Sequence, residues 1–142
     1  MSIVQPWLPE ARVLDLYAGS GALGLEALSR GGSSADFVEN DPRAFRALSE
    51  NVAKLGAENA ATLHRTDALR FAGALGELEF DVAFADPPYD SGGAQRLAEL
   101  WLRTPFARVL GIEHDPKGAM PGEPAIRRYG STAIAFYQND SN

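Results

Sequence analysis

Along most of the chain, short apolar runs alternate with stretches of helical periodicity. Residues 13–17 form a run too short for a helix, and the glycine turn that follows predicts a buried strand. From Ala22 onwards, Leu23, Ala27 and Arg30 recur at helical spacing among good helix formers. A strand, a tight glycine turn and a helix, in that order, form the first half of a nucleotide-binding βαβ unit.

The same alternation continues beyond this unit. Residues 36–39 predict a second buried strand, and Asp41 and Pro42 suit the N-cap and first position of a helix that ends before Gly56. Further strands are predicted at residues 61–65, 80–85 and 109–112, a helix around residues 97–101, and a terminal hairpin at residues 125–129 and 132–138. This order predicts an α/β fold: a Rossmann-like, mostly parallel sheet with helices on both faces and an antiparallel C-terminal hairpin.

Length and composition are typical of one domain. The 142 residues are 45% hydrophobic, and we expect a single domain over residues 1–142, with residues 1–11 as a lead-in and residues 139–142 as a tail. No run approaches the ~20 apolar residues of a membrane span, and the N-terminus shows no signal-peptide pattern. The chain has no cysteine, and its two histidines, His64 and His114, are expected to be ordinary strand-end residues. We therefore expect a cytoplasmic monomer without a metal site or a membrane partner.

The charge balance is unfavourable for binding nucleic acid. A formal net charge of −6 and a pI near 4.8 provide no general attraction for a polyanion. If the substrate is a nucleic acid, local basic patches or further sequence must supply that attraction. Candidates are Arg96, Arg103, Arg127 and Arg128, although each taken singly is typical of a solvated surface arginine.

The glycine turn after the first strand is a candidate ligand loop. Gly19, Ser20 and Gly21, followed by Gly24, fit the pattern G-x-G-x-x-G. Gly19 and Gly21 can adopt positive φ and allow a ligand close to the backbone. A plain glycine turn is the alternative, and the motif does not select the ligand, since the same geometry would serve NAD.

Carboxylates stand at the carboxyl ends of three successive strands, where doubly wound sheets bind their ligands. Glu39 lies 24 residues after Asp15 (39 minus 15), about the offset of an acidic residue that accepts hydrogen bonds from ribose hydroxyls. A carboxylate that simply faces water is the alternative. Asp67 could accept a hydrogen bond from an adenine amino group, or it could cap a short helix that begins at Ala68.

The third of these carboxylates, Asp86, opens the tetrapeptide Asp86, Pro87, Pro88 and Tyr89. Two prolines fix φ twice and remove two N–H donors, which leaves a stiff segment rich in acceptors. With an aromatic face beside it, such a segment suits an exocyclic amine on a planar ring. The two N–H groups would bond to the Asp86 carboxylate and the Pro87 carbonyl, and the ring would stack on Tyr89. A rigid turn with Tyr89 as packing is the alternative.

These motifs resemble those of class I S-adenosylmethionine-dependent methyltransferases that act on amino groups. More narrowly, the chain is similar to the RsmD family, whose members methylate the guanine N2 amine of small-subunit (16S) ribosomal RNA in bacteria. The similarity runs from about Ala11 to Gln138 and rests on five segments in order: LDLYAGSGALGLEALSRG, FVENDPRAFRALSENVAKLG, FADPPYD, IEHD and RRYGSTAIAFYQ.

The resemblance implies a seven-stranded methyltransferase sheet, S-adenosylmethionine as cofactor, and rRNA or the assembling small ribosomal subunit as partner. The methyl group would pass from the sulfonium to N2 by in-line displacement. The residues predicted to bind the cofactor are Asp15, Tyr17, Ala18, Gly19, Ser20, Gly21, Glu39, Asn40, Asp67 and Ala68. The residues predicted to be catalytic are Asp86, Pro87, Pro88 and Tyr89.

The resemblance is incomplete at the N-terminus. Family members carry a β-hairpin and an arginine-bearing helix before the first motif, which help to bind RNA and to close the cofactor site, whereas only residues 1–10 stand there in this chain. We therefore expect weaker RNA binding. Alternative hypotheses are a cofactor-binding module without catalysis and an amino-methyltransferase that acts on another nucleic-acid base. An NAD-dependent oxidoreductase is disfavoured, because no acid or base for hydride transfer is evident in the sequence.

Overall fold

A computed structural model describes residues 3–139, which form a seven-stranded sheet with helices on both faces. The elements in chain order are β1 (Arg12–Leu16), α1 (Ala22–Ser29), β2 (Ser34–Val38), α2 (Pro42–Lys54), β3 (Ala61–His64), α3 (Ala68–Gly73), β4 (Phe80–Ala85), α4 (Gly93–Arg103), β5 (Ala107–His114), β6 (Ala125–Tyr129) and β7 (Thr132–Gln138).

The sheet has the strand order β3-β2-β1-β4-β5-β7-β6. Strands β1 to β5 are parallel, whereas β7 pairs antiparallel with both β5 and β6. The chain moves from β1 to β2 on one side and later returns to place β4 on the other side, so the order of the strands reverses next to β1. The predicted α/β class, with a mostly parallel sheet and a terminal antiparallel hairpin, is confirmed.

Local sequence signals explain why α2 begins at its observed residue. The Asp41 carboxylate accepts a hydrogen bond from Ala44 N at 2.9 Å, and Pro42 occupies the first turn. Leu48 and Val52 face the core and are buried. Leu55 continues the helical spacing of Leu48 and Val52, but it follows the last helical residue and is 66% exposed.

Two apolar layers cover the two faces of the sheet. Helices α1 and α2 pack on one face, where Leu25 and Leu48 meet Phe37 of β2. Helices α3 and α4 pack on the other face, where Leu97 and Trp101 lie in the core. Because the central strands are covered on both sides, most of their consecutive residues are apolar and do not alternate with polar ones.

The segment before β1, predicted as a lead-in, contributes side chains to the core. Val4 and Leu8 flank a 3₁₀ turn (Gln5–Trp7), and each exposes 1% of its surface or less. Both belong to the apolar layer under α1 and α2. Of the predicted tail, Asn139 donates its backbone N–H to Arg108 O at 2.8 Å, and residues 140–142 lie outside the described residues.

The register of the parallel strands aligns their carboxyl ends. Leu16 pairs with Val38 and Ala85, Val38 pairs with His64, and Ala85 pairs with Ile112. The residues that follow this row therefore lie along one edge of the sheet; in strand order they are Arg65, Glu39, Tyr17, Asp86 and Glu113.

Among the helices of residues 3–139, none is long and apolar enough to cross a membrane. In the same part of the chain, no three histidine, cysteine or carboxylate side chains are grouped as a metal would require.

Candidate active site

The loop after β1 is shaped by residues in the left-handed region. Tyr17, Gly19 and Gly21 have φ of 58°, 59° and 85°. Ala18 N donates to Val38 O at 3.0 Å, and Gly21 N donates to Ala18 O at 2.9 Å, which folds the loop back over the end of β2. This turn leads directly into α1, with Gly21 as its N-cap.

The glycines of the motif have different physical roles. A Cβ on Gly21 would lie 2.5 Å from Leu48 Cδ1, and one on Gly24 would lie 2.3 Å from Phe37 Cε1. These two glycines therefore allow α1 to pack closely on its neighbours. A Cβ on Gly19 would meet no atom within 4 Å, so the loop is open to a ligand at that residue.

Glu39 is held against this loop by two backbone hydrogen bonds. Its Oε1 accepts from Gly19 N at 2.7 Å, and its Oε2 accepts from Asp41 N at 2.9 Å. A carboxylate offers about four acceptor positions, so each oxygen can accept a further hydrogen bond. The side chain is half-buried and is fixed in orientation from two directions.

Asp15 lies beneath the loop and is 2% exposed. Its Oδ2 accepts a hydrogen bond from Gly24 N at 3.0 Å, which ties β1 to the first turn of α1. Burial raises the pKa of this carboxyl to about 7; the Gly24 hydrogen bond opposes the rise, and the charges of Asp86 and Glu39 add to it.

Tyr17 begins the loop after β1, and Asp67 lies between β3 and α3. The Asp67 Oδ2 accepts from Arg70 N at 2.9 Å and caps α3, which includes Ala68, while the Asp67 residue remains exposed. Burial raises the pKa of the Tyr17 hydroxyl; the charge of Asp67 adds to the rise and that of Arg96 opposes it. Tyr17 therefore lies within electrostatic reach of both groups.

Two further predicted residues flank this part of the site. The Ser20 carbonyl accepts a hydrogen bond from Asn51 Nδ2 at 2.9 Å, which fastens the loop to α2. Asn40 is exposed next to Glu39. Asn51 was not singled out from the sequence, since one polar side chain in an amphipathic helix carries no signal of this contact.

The Asp86 tetrapeptide follows β4 directly and turns sharply. Pro88 O accepts from Ser91 N at 3.2 Å and from Ser91 Oγ at 2.7 Å, which closes a 3₁₀ turn at Tyr89–Ser91. Among the described residues, no hydrogen bond reaches the Pro87 carbonyl, which remains available as an acceptor. Pro87 is buried and Tyr89 is 46% exposed.

A chain of hydrogen bonds links this turn to β5 and β7. The Tyr89 hydroxyl lies 2.6 Å from Thr132 Oγ1, which in turn donates to Glu113 Oε1 at 2.9 Å. The side chains of Asp86 and Glu113 are also hydrogen-bonded to each other. Asp86 is an exposed residue, but partial burial of its carboxyl raises its pKa to about 7, and the hydrogen bond to Glu113 and the charge of Glu113 add to the rise.

A cavity of about 210 Å³ opens beside this acidic pair. Asp86 and Glu113 form its polar end, and its walls are largely apolar; they include Ile3, Val4, Leu23, Phe84, Ile134 and Phe136. Glu113 was not among the residues predicted for the site. It directly follows the predicted fifth strand, so the same strand-end rule that selected Glu39 and Asp86 could have selected it.

The candidate phosphate-binding arginines are divided between two surfaces. Arg96 and Arg103 of α4 line a groove of about 410 Å³ together with Arg70 of α3. Arg127 and Arg128 lie on the exposed edge strand β6, where Arg128 Nη1 donates to Pro116 O at 3.2 Å. The structure therefore brings the first two together and separates them from the second two.

Comparison with known proteins gives a consistent picture. A family described as Conserved hypothetical protein 95 matches residues 1–138. The protein named ribosomal RNA small subunit methyltransferase D from Escherichia coli K12 is 34% identical over 147 residues, which cover 96% of this chain and 72% of the relative. The protein of the same name from Haemophilus influenzae is 28% identical over 95% of this chain and 74% of its own. A solved structure of a conserved hypothetical protein from Streptococcus pyogenes superposes with a TM-score of 0.85 at 32% identity, covering 98% of this chain and 92% of the other.

Proposed function

The chain belongs to the family described as Conserved hypothetical protein 95, and on that premise we propose that it is an S-adenosylmethionine-dependent rRNA methyltransferase. Its substrate is the exocyclic N2 amine of a guanine in small-subunit (16S) ribosomal RNA. The observation that carries the proposal is the acceptor-rich turn from Asp86 to Tyr89, which ends β4 next to the glycine loop of β1. The name of the Escherichia coli relative supports the choice of RNA.

The loop and its surroundings fit S-adenosylmethionine, which when bound supplies an electrophilic methyl group on a positively charged sulfur. Glu39 has unused acceptor positions for the ribose hydroxyls, and it lies on the strand beside the loop. The open face of Gly19 permits close approach of the ligand to the backbone. The exposed Asp67 carboxylate would contact the adenine, and Ala68, which is 4% exposed, would lie behind it in the first turn of α3.

Other predicted cofactor residues shape or line this site. Asp15 lies below the loop and supports it through Gly24. The loop itself and the residue after Glu39 complete the proposed lining: Tyr17, Ala18, Ser20, Gly21 and Asn40. Glu39 and Asp86 follow β2 and β4, which flank β1, so their backbones stand about 10 Å apart, a span suited to a nucleoside with an extended substituent.

The proposed catalysis depends on position and charge. The Asp86 carboxylate and the free Pro87 carbonyl accept the two N–H groups of the amine, and Tyr89 offers its exposed face to the ring. The nitrogen that receives the methyl group must release one proton, and Asp86 in its carboxylate form is placed to accept it. Pro88 stiffens the turn, so these groups keep their arrangement without the base.

The target guanine must leave its stack to reach this strand-end pocket, because the amine of a paired base is not accessible to acceptors on the protein. The groove formed by Arg70, Arg96 and Arg103 is the proposed contact for RNA phosphates, since three cations there face solvent in an otherwise acidic chain.

Substitution of Asp86 tests the proposal. Asp86→Ala is expected to leave S-adenosylmethionine affinity near the wild-type value by calorimetry and to abolish methyl transfer to unmodified small subunits. Asp90→Ala is the matched control, because Asp90 is an exposed carboxylate in the same turn. Asp86→Ala with wild-type turnover would remove Asp86 from the reaction, and with it the proposed mechanism.

A further inference from the structure

Glu113 stands beside the proposed catalytic carboxylate because of strand register. Ile112 pairs with Ala85, so Glu113 and Asp86 are the next residues on adjacent strands. Their side chains are hydrogen-bonded to each other, and both line the cavity of about 210 Å³. Glu113 also lines a second cavity of about 130 Å³ together with Pro87 and Tyr89, so it borders the groups proposed to hold the substrate amine and its ring.

The orientation of Glu113 is fixed by an independent contact. Its Oε1 accepts a hydrogen bond from Thr132 Oγ1 at 2.9 Å, and Thr132 is itself hydrogen-bonded to the Tyr89 hydroxyl. The acceptor at Glu113 and the aromatic face at Tyr89 are thus held in one arrangement. We expect a planar ring that stacks on Tyr89 to have Glu113 at its edge, because both residues line the cavity of about 130 Å³.

The acidic pair has acceptors in excess of donors. Asp86 and Glu113 bring two carboxyl groups together at the polar end of the cavity, and carboxylate oxygens accept hydrogen bonds without donating any. A ligand edge with two adjacent N–H donors would give each carboxylate one donor. Guanine has this edge, since N1–H lies next to the N2 amine. Adenine places an unprotonated N1 next to its amine, and that lone pair would face a carboxylate.

We propose, building on the proposed function, that Glu113 is a specificity-determining residue that accepts the N1–H of the target guanine while Asp86 accepts an N–H of its N2 amine. Glu113 reads the base and Asp86 holds the amine to be modified. The two carboxylates together select guanine over purines that carry an amine but lack N1–H.

The test uses 2-aminopurine, which retains the amine at C2 and has an unprotonated N1. Short single-stranded RNAs that contain one guanine, or 2-aminopurine in its place, are titrated with wild-type protein and with Glu113→Gln. We expect the wild type to prefer guanine by about tenfold or more in Kd. Glu113→Gln should reduce this preference several-fold, because the amide can donate to the N1 lone pair.

The comparison is controlled within the experiment. 2-Aminopurine also lacks O6, but that loss is common to both proteins and cancels when the two preferences are divided. Glu123→Gln, at an exposed loop carboxylate, controls for the change in net charge. Equal affinities of the wild type for both RNAs, or the same preference in wild type and Glu113→Gln, would overturn the role of Glu113. Because the readout is binding, it is separate from methyl transfer to small subunits, whose absence would count against the proposed function alone.

Discussion

The buried carboxyl of Asp15 makes stability depend on pH in a direction that can be measured. Asp15 is 2% exposed, and burial raises its pKa from 3.8 to about 7, with the charges of Asp86 and Glu39 adding to the rise. Asp15→Asn has nearly the same shape and keeps an oxygen that can accept from Gly24 N. The variant differs chiefly in that its side chain never has to lose a proton inside the protein.

The sign follows from proton linkage. The folded protein holds the Asp15 proton up to about pH 7, whereas the unfolded chain releases it near pH 4, so the folded state binds more protons between these values. The wild-type free energy of unfolding therefore falls as pH rises through this window. Raising the Asp15 pKa by about 3 units corresponds to at most about 4 kcal/mol of unfolding free energy. About 2 kcal/mol of this is lost between pH 5.5 and 8.5. If the asparagine amide itself changes the free energy of unfolding, that change is the same at every pH and leaves the pH dependence unaltered.

Urea unfolding at pH 5.5, 6.5, 7.5 and 8.5 measures this difference. Relative to wild type, Asp15→Asn is expected to gain about 2 kcal/mol of unfolding free energy across that range, with most of the gain between pH 5.5 and 7.5. Asp90→Asn removes an exposed carboxylate instead and should run parallel to wild type. Parallel curves for Asp15→Asn and wild type would refute the reasoning, since they would mean that Asp15 releases its proton at an ordinary pKa.

Three further predictions concern the cofactor, the RNA and the N-terminal segment. Glu39→Gln should weaken S-adenosylmethionine binding in calorimetry by about 10- to 100-fold, because an anionic acceptor held by two backbone N–H groups is lost; unchanged affinity would remove Glu39 from the site. Arg96→Gln should weaken RNA binding and reduce the slope of log affinity against log salt by about 1; an unaltered slope would mean that Arg96 contacts no phosphate. Leu8→Ala should lower the free energy of unfolding in urea by about 2–5 kcal/mol, since Leu8 has no exposed surface; a loss within about 0.5 kcal/mol would contradict the packing of this segment.

Elements with strong local signals were predictable from sequence. Asp41 and Pro42 mark the start of α2 by capping chemistry that involves only neighbouring residues. The bounds predicted for the fourth strand and for both strands of the terminal hairpin match β4, β6 and β7. The fifth strand is longer than predicted at both ends: β5 spans Ala107–His114 instead of residues 109–112. Its last two residues are extended because they pair with Ile134 and Ala133 of β7. Local periodicity cannot predict this long-range pairing.

Parts of the candidate site depend on packing that the sequence alone does not reveal. The G-x-G-x-x-G pattern does not distinguish the roles of its glycines. In the structure, Gly21 and Gly24 make room for Leu48 and Phe37, whereas of the three only Gly19 is open to a ligand. The contact of Tyr89 with Thr132 joins residues 43 positions apart. The burial of Leu8 likewise depends on a sheet face that forms later in the chain, so a segment too short for periodicity resembled a lead-in.

The most direct measurement is mass spectrometry of nucleosides from unmodified small ribosomal subunits after incubation with this chain and S-adenosylmethionine. The proposed function predicts N2-methylguanosine in 16S rRNA from the wild-type reaction and none from the Asp86→Ala reaction. A methyl group on another base, or N2-methylguanosine formed equally by Asp86→Ala, would contradict a mechanism in which the turn after β4 holds the guanine amine for methyl transfer.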